Sequence, residues 1–431
     1  MILLSVSIMF FQEKEKKAGS RAIILSLIFL IAGYCIFIFK FEYIVLILAI
    51  FWGALILSFF LPLKINKNIT DTEPKNRIDE RDIMFSRNEL VPGTDRFNEY
   101  YSSHPENKIL DDLFRKEPGL LSKDAKYYNP IAFKRSLKYY DQIEELQVDV
   151  DGDVNPDKTA VISKEISSEL KKLCKDFGAL DVGICECKPY HFYSIKGRKE
   201  DYGKEIEIRY KFAIAFTVEM NHEMVKAGPD ASIVLESTKQ YYNAGIIATK
   251  LAKHIRELGY DARAHIDSNY QLVCPLVAKD AGLGEIGRMG LLMTPKQGPR
   301  VRIGVVTTEL ELIPDIYKKQ YALIDFCRIC KKCAVCCPSQ SISQKDPEEI
   351  NGVKRWQINS ESCFTFWSKA GTDCGRCMAV CPFSHPDNFL HNFIRWGISK
   401  SKVFRYLALY LDDFFYGKKP APWPIPVWLK N

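Results

Sequence analysis

Cysteine spacing constrains this chain more than any other feature of its sequence. Two runs near the C-terminal end place cysteines two or three residues apart and finish in Cys-Pro. They are Cys327-x2-Cys330-x2-Cys333-x3-Cys337-Pro338 and Cys374-x2-Cys377-x3-Cys381-Pro382, with Cys363 between them. Gaps of two residues let a tight turn present successive thiolates to one side, as a cubane iron–sulfur cluster requires. The spacing is typical of bacterial domains that carry two [4Fe–4S] clusters.

In such domains the last cysteine of each run serves the other cluster, which predicts two ligand sets. The first cluster is expected on Cys327, Cys330, Cys333 and Cys381, and the second on Cys337, Cys363, Cys374 and Cys377. Structural zinc is the alternative for any closely spaced cysteine pair. Eight cysteines in the two-cluster spacing, with both prolines, favour iron and sulfur. The remaining cysteines are expected to be packing residues.

Two uncharged stretches near the N-terminus predict a pair of membrane-spanning helices. Residues 22–39 and 43–63 carry no charged side chain and are three residues apart. As helices of about 18–21 residues they measure roughly 27–31 Å, enough to cross the hydrocarbon core. Lysines and arginines flank the outer ends, whereas the connecting turn holds only Lys40, so both ends are expected in the cytoplasm. We therefore expect a cell-membrane protein that contacts lipid through a two-span hairpin, with its catalytic domain facing the cytoplasm.

The rest of the chain predicts a soluble body of mixed secondary structure. Segment 64–77 is polar and predicts a linker, and 78–160 mixes charge with aromatic residues, which indicates an irregular, partly helical wrapping region. Helices are then expected at 163–177 and 236–258, and strands at 181–187, 210–218, 262–266 and 302–307. This order predicts an α/β (α+β) fold. The aspartate-rich run 149–157 lacks the glycine and glutamate of an EF-hand loop and predicts a linker.

A glycine-rich segment completes a pattern that resembles a known family. The segment is AGLGEIGRMG within residues 275–308, and RDIMFSR, LGYDARAH and GTDCGRCMAVCPFS accompany it. Together with the cysteine motifs, they resemble the reductive dehalogenases over roughly residues 78–431. The resemblance implies a nitroreductase-like domain over 161–318 that binds a corrinoid (cobalamin) in the base-off state. It also implies a two-cluster ferredoxin-like domain over 319–390 and a C-terminal wrapping segment over 391–431; residues 1–21 remain as a cytoplasmic N-terminal segment.

The glycine-rich segment is the main candidate for corrinoid contacts. Glycines let a backbone approach a large planar group closely, and a tight strand–helix turn is the alternative explanation for them. The resemblance assigns the contacts to Gly282, Leu283, Gly284, Gly287, Arg288 and Gly290, with Asn269 and Trp367 as further candidates. No Asp-x-His-x-x-Gly motif offers a lower cobalt ligand, as the base-off state implies.

The resemblance also implies an acid and a cation beside the cobalt. Breaking a carbon–halogen bond requires a proton for the carbon and positive charge near the departing halide. Tyr241 or Tyr242 fits the acid, and Arg300 or Arg302 fits the cation. Packing of an amphipathic helix and a solvated strand end are the alternatives for these two pairs.

These features predict an oxidoreductase that replaces halogen by hydrogen in a small organohalide, with electrons relayed through two clusters to cobalt. An epoxyqueuosine-reductase-like enzyme is the nearest alternative. Counted back from the glycines that the two families share, however, the position of that family's catalytic aspartate is Ser268, one residue after Asp267. A membrane-bound two-cluster electron-transfer protein is the third. The net charge of +7 is spread along the chain, which gives little support to nucleic-acid binding. The electron donor stays open among ferredoxin, flavodoxin and a quinol-linked protein. Respiratory reductive dehalogenases have a twin-arginine signal and a separate membrane-anchor protein. The predicted hairpin departs from that pattern.

Overall fold

A computed structural model describes residues 2–39, 42–59, 68–70 and 73–430 of the chain. The helices are α1 (Ile2–Gln12), α2 (Lys16–Ile38), α3 (Glu42–Phe59), α4 (Met84–Asn88), α5 (Asp95–Ser103), α6 (Pro105–Arg115), α7 (Pro130–Glu145), α8 (Ser163–Asp176), α9 (His222–Lys226), α10 (Ser232–Glu257), α11 (Cys274–Asp280), α12 (Tyr321–Cys330), α13 (Lys332–Val335), α14 (Ser360–Ala370), α15 (Arg376–Ala379), α16 (Phe389–Lys400) and α17 (Lys402–Tyr416). The strands are β1 (Asp181–Glu186), β2 (Phe212–Glu219), β3 (Ala262–His265), β4 (Glu285–Ile286), β5 (Leu292–Met293), β6 (Val301–Thr308), β7 (Glu348–Ile350) and β8 (Val353–Arg355).

An antiparallel sheet in the order β1-β2-β6-β3 forms the centre of the soluble body. Side chains alternate between its faces, as strand geometry requires. Phe212, Ile214 and Phe216 of β2 pack with α8 and α10, whereas Ala213 and Ala215 pack with α11. Both faces are therefore covered, which explains the strongly apolar run predicted at 210–218. The four predicted strands and both predicted helices are confirmed to within a few residues at their ends.

Small residues bring α11 close to the sheet. A side chain at Gly183 of β1 would place its Cβ 2.1 Å from the carbonyl oxygen of Ala281, at the end of α11. Only glycine allows this approach. The contact fixes the position of the segment that follows α11, which is the glycine-rich stretch singled out in the sequence.

Two short helices in the C-terminal half repeat one local geometry. α13 follows Lys331 and α15 follows Gly375, and both of these residues have left-handed backbones, with φ of 57° and 59°. Each helix also ends at a residue with φ −97° and ψ −2°, Cys336 and Val380. The two cysteine motifs thus adopt equivalent turns, as a duplicated two-cluster domain requires.

The N-terminal helices contact the soluble body through α17. Phe10 of α1 packs on the rings of Phe415 and Tyr416, with centroids 5.2 and 5.5 Å away. Glu13, between α1 and α2, lies 3.1 Å from Nε2 of His391. Because its first turns are buried in this contact, α2 begins at Lys16, six residues before the predicted apolar span.

One helix in the described part of the chain, α2, is long and apolar enough to cross a membrane. The second predicted span is helical from Glu42 to Phe59, and its last residues, 60–63, lie outside the described residues.

Candidate active site and cluster sites

Side chains from α7, α10, β6 and the turn after β3 interact deep in the molecule, and we call the space that they border the recess. Tyr140, Tyr241, Asp267, Tyr270 and Arg302 are deep in the molecule, yet each keeps part of its surface accessible. Burial raises the pKa of all three tyrosines, so their phenols are protonated at neutral pH. The recess is therefore an aromatic chamber with one carboxyl group and one guanidinium group.

Tyr241 and Arg302 are in direct contact inside this recess. The guanidinium carbon of Arg302 lies 4.8 Å from the centroid of the Tyr241 ring, a cation–π geometry. Burial raises the pKa of Tyr241, and the positive charge of Arg302 opposes that rise. Burial also disfavours the charged form of Arg302, but the tyrosines and Asp373 outweigh it and raise its pKa. The pair combines a protonated phenol with a permanent cation.

A short hydrogen-bond network fixes the cation and connects it to a cluster motif. Nη2 of Arg302 donates to Oγ of Ser237 at 2.6 Å and to Oδ2 of Asp373 at 2.9 Å. Ser237 stands one helical turn before Tyr241 on α10, and Asp373 directly precedes Cys374. Nε of Arg302 and Oδ1 of Asp373 are buried without a hydrogen-bond partner among the described residues. Nε of Arg302 is therefore an unsatisfied donor in the interior of the protein.

The other member of each candidate pair lies elsewhere. The Tyr242 hydroxyl is 3.5 Å from Nε2 of Gln142, and its ring packs on that of Tyr139. Arg300 is 2% exposed and donates to Glu219 at 2.7 Å and to the carbonyl oxygen of Ser384 at 3.1 Å. These contacts tie the end of β2 to the cluster region. The structure thus brings Tyr241 together with Arg302, and gives Arg300 a packing role.

Two of the eight candidate cluster cysteines, Cys381 and Cys377, show which thiols are their neighbours. Burial raises the pKa of Cys381, and the next contributions come from Cys327 and Cys330 of the other motif. Burial is likewise the largest cause of the raised pKa of Cys377, and the neighbouring thiols Cys363 and Cys337 raise it further. Each thiol therefore lies beside members of its predicted set. Among the residues that the structure describes, no three His, Cys, Asp or Glu side chains are arranged as ligands of a single metal ion.

The two cysteine sets are neighbours of each other and of the rest of the site. Cys377 of the second set also raises the pKa of Cys333 in the first, after burial and the two other thiols of that set. A Cβ at Gly287 would lie 3.7 Å from Sγ of Cys327, so the glycine-rich segment borders the first set. The second set borders the recess through Asp373.

The glycine-rich segment divides into packed and open positions. Leu283 is buried in the core, and a Cβ at Gly284 would lie 2.3 Å from the carbonyl oxygen of Met293. Arg288 is 1% exposed and donates to the carbonyl oxygens of Cys327, Arg328, Ser343 and Lys345.

At Gly282 and Gly290, by contrast, a Cβ would meet no atom closer than 3.8 Å. Gly282 and Gly290 are exposed, so the space beside them is open, whereas Leu283, Gly284, Gly287 and Arg288 are buried in the loop.

Asn269 and Trp367, the two further candidates, contact residues outside the glycine-rich segment. Asn269 accepts from Nη2 of Arg263 at 2.8 Å and donates to Gln147 at 2.9 Å. Trp367 packs on Phe85 and Phe364, and it hydrogen-bonds Cys363. Trp367 therefore contacts the second cysteine set.

Sequence reasoning did not assign Tyr140 or Tyr270 to the site, and it considered Asp267 only for the alternative activity. Tyr140 belongs to the region expected to be irregular and partly helical, where it lies on helix α7. An apolar stripe along 130–145 was the available signal. Tyr270 and Asp267 lie in the turn after β3, where no periodic pattern identifies a facing direction.

Comparison with known proteins finds one matching family model and several curated relatives. A 4Fe-4S dicluster domain model matches residues 326–385. The chain is 38% identical over 208 residues to a tetrachloroethene reductive dehalogenase of Desulfitobacterium hafniense, which covers 45% of this chain and 37% of the relative. It is 32% identical over 156 residues to an epoxyqueuosine reductase of Francisella cf. novicida (strain Fx1), covering 32% of this chain and 39% of the relative.

A solved structure shares the fold. The catabolic reductive dehalogenase NpRdhA, in complex with 3-bromo-4-hydroxybenzoic acid, matches with a TM-score of 0.65 and 24% sequence identity. The match covers 82% of this chain and 48% of that one. The chain therefore spans about half the length of this structural relative and less than half of the curated relatives that it matches.

Proposed function

We propose that this chain, a relative of the reductive dehalogenases, is an oxidoreductase that replaces halogen by hydrogen in an organohalide. The observation that carries the proposal is the contact of Tyr241 with Arg302 in a recess that borders a two-cluster cysteine domain. The overall change takes two electrons and one proton, forms a carbon–hydrogen bond and releases halide. The recess supplies a proton donor and a fixed positive charge for this change.

Each residue of the recess has a separate role in the proposed reaction. Tyr241 holds its proton because burial raises the pKa of the phenol, and it delivers that proton to the carbon from which halide departs. Arg302 stabilises the tyrosinate that remains and attracts the halide through its positive charge. Asp373 and Ser237 hold the guanidinium in place from one side. Tyr140 and Tyr270 form aromatic walls that exclude water.

The cofactor proposal follows the same residues. The spacing of the eight cysteines supports two [4Fe–4S] clusters. The resemblance of the glycine-rich segment supports a corrinoid held base-off, and Gly282, Gly290, Asn269 and Trp367 stay candidate contacts for it. When bound, these groups supply one-electron transfer and a low-valent cobalt centre. The protein contributes the proton, the cation and the closed recess.

A groove beside the second cysteine set supports a soluble electron donor. It is lined by Cys337 together with Lys345, Lys418 and Lys419. Three lysines around a candidate cluster ligand are complementary to an acidic redox protein such as ferredoxin or flavodoxin. A quinol-linked membrane protein is the alternative donor.

The proposed location is the cell membrane. α2 is long and apolar enough to span it, and we propose 43–63 as the second span, with the catalytic body in the cytoplasm. The lysine and arginine flanks of the hairpin support this orientation.

One observation favours the second candidate function. Asp267 lies in the same recess as Tyr241 and Tyr270, and burial raises the pKa of its carboxyl group. A protonated buried carboxyl group is a candidate acid for an epoxyqueuosine-type reduction. If transfer RNA carrying epoxyqueuosine oxidises the reduced protein and organohalides do not, the second function replaces the first.

The deciding experiment measures metal content and halide release on one anaerobic preparation grown with corrinoid. About eight irons and about one cobalt per chain are expected, together with halide release from at least one bromophenol or chloroalkene. Iron without cobalt contradicts the dehalogenase proposal and favours an electron-transfer protein.

A further inference from the structure

The C-terminal helices α16 and α17 expose aromatic side chains and bury charged ones, the reverse of an ordinary surface helix. Six exposed residues of the pair are aromatic, and they are Phe389, Phe393, Trp396, Tyr406, Tyr410 and Phe414; Phe389 is 87% exposed and Tyr410 is 69% exposed. We call this surface the aromatic face. On α17 it follows a helical stripe of every fourth residue, Tyr406, Tyr410 and Phe414. A surface with six exposed aromatic side chains is typical of an interaction site.

The opposite side of α17 carries the charges. Arg405 is fully buried and donates to Asp325 of α12 at 2.7 Å and to the carbonyl oxygen of Ile398 at 2.9 Å. Asp412 accepts from His385 at 2.9 Å and pairs with Lys332. The helix is therefore oriented by buried ion pairs, and its aromatic side is held outward.

The position of α17 between the ends of the N-terminal helices identifies what covers this face. Near the C-terminal end of α17, Arg21 of α2 donates to the carbonyl oxygen of Phe415 at 3.2 Å. Near its N-terminal end, Phe404 packs on Phe59, the last residue of α3, with ring centroids 5.5 Å apart. The beginning of α2 and the end of α3 are on the same side of a membrane hairpin. α17 therefore runs between the two points at which the hairpin leaves the bilayer, about 15 Å apart along the helix.

We infer that α16 and α17 lie in the headgroup layer of the bilayer, with the aromatic face against lipid. Tryptophan and tyrosine favour this layer because an apolar ring and a polar tip are satisfied there together. Lys400 is exposed at the end of α16, where it attracts anionic lipid. The pair is thus an interfacial platform that fixes the tilt of the soluble body. The inference rests on the proposed membrane anchor and goes beyond it, since a hairpin alone leaves the body free to tilt.

Photocrosslinking of the full chain in lipid vesicles tests the platform. The photoreactive residue p-benzoylphenylalanine replaces Trp396 or Tyr410 on the aromatic face, in protein reconstituted into vesicles of phosphatidylethanolamine and phosphatidylglycerol. Matched controls carry it at Phe85 and Trp428, which are exposed aromatic residues elsewhere on the body. A reference variant carries it at Ile31, in the middle of α2. Intact-mass spectrometry counts lipid adducts at each position.

We expect lipid adducts at Ile31, Trp396 and Tyr410, several-fold above those at Phe85 and Trp428. Adducts at Ile31 alone overturn the platform and leave the anchor standing. Adducts at none of the five positions overturn the anchor, and the platform with it. Crosslinks from Trp396 or Tyr410 to protein instead of lipid overturn the platform in favour of a protein interface.

A second measurement on unlabelled protein guards against a misfolded variant. Quenching of tryptophan fluorescence by lipids brominated near the headgroup is compared between the wild type and Trp396→Phe or Trp428→Phe. The platform predicts that only Trp396→Phe reduces the quenchable fraction. Equal effects of the two substitutions contradict it.

Discussion

Tyr241 and Tyr242 are adjacent residues of one helix, and only the first contacts Arg302. We expect Tyr241→Phe to lower halide release by about 10²–10⁴-fold, the usual contribution of a positioned acid. Tyr242→Phe removes only a long contact with Gln142 and is expected to keep activity near that of the wild type. Halide release is measured with iron and cobalt contents confirmed equal in all three proteins. Full activity in Tyr241→Phe eliminates this residue as the proton donor.

The pH dependence of the reaction reports the same phenol. Activity that needs protonated Tyr241 is full below the pKa of that residue and is lost as the pH rises through it. Burial places this pKa above the ordinary value of 10.0, although Arg302 opposes the rise. We expect no alkaline loss of activity between about pH 7 and 10. Arg302→Gln removes the opposing charge, so it slows the reaction but moves the alkaline limit further up. An alkaline limit that moves down in this variant contradicts the assignment.

The choice within each candidate pair was beyond sequence reasoning for geometric reasons. Neighbouring helix positions such as 241 and 242 are both compatible with an amphipathic pattern. The pattern therefore does not show which of the two side chains faces the recess. Arg300 and Arg302 are two residues apart, which places them on one face of an ideal strand. However, β6 begins at Val301, so Arg300 is free to turn toward Glu219.

At the level of secondary-structure elements, the short hairpin of β4 and β5 supports the first cysteine set. A Cβ at Gly284 would lie 2.3 Å from the carbonyl oxygen of Met293, so Gly284→Ala must displace one strand of the hairpin. Arg288 follows β4 and donates to the carbonyl oxygens of Cys327 and Arg328, so that displacement reaches the first set. We expect a loss of about 1–3 kcal/mol in the free energy of unfolding, and a fall in iron from about eight to about four per chain.

Gly290→Ala is the matched control in the same segment. A Cβ there meets nothing closer than 3.9 Å, although its φ of 74° adds strain of about 1–2 kcal/mol. Both clusters should be retained in this variant. If Gly284→Ala keeps all of its iron and unfolds at the wild-type temperature, the supporting role of the hairpin is wrong.

Elements were predictable where their periodicity was strong. The core strands alternate side chains between two covered faces, and the sequence therefore located Phe212–Glu219 to within two residues. Region 78–160 shows no clean period because its helices α4 to α7 bury only a few residues each, such as Phe97, Phe114 and Phe133. Tyr140 was missed for that reason. The 4Fe-4S dicluster domain was predictable because the spacing within each cysteine motif is a local property of the chain, whereas the two ligand sets remain predictions.

At the scale of the whole molecule, the two cysteine motifs are predicted to interlock, with each one supplying a ligand to the other motif's cluster. Cys381 belongs to the second motif in sequence but lies with Cys327 and Cys330 of the first. Cys381→Ser should therefore remove the cluster of the first set and leave about four irons per chain. Cys336→Ser, which changes a cysteine outside both sets, should keep about eight.

Double variants separate interlocked from independent motifs. If the motifs interlock, Cys381→Ser with Cys327→Ser disturbs one cluster twice and leaves the same iron content as Cys381→Ser alone. Cys381→Ser with Cys377→Ser then disturbs both clusters and leaves almost no iron. Independent motifs give the reverse result, because Cys377 and Cys381 would share one cluster. Iron and sulfide analysis of the four proteins, with circular dichroism to confirm folding, decides between the two arrangements. An interlocked domain also predicts that loss of either cluster lowers the unfolding temperature of the whole C-terminal region, since each cluster joins two segments that are distant in sequence.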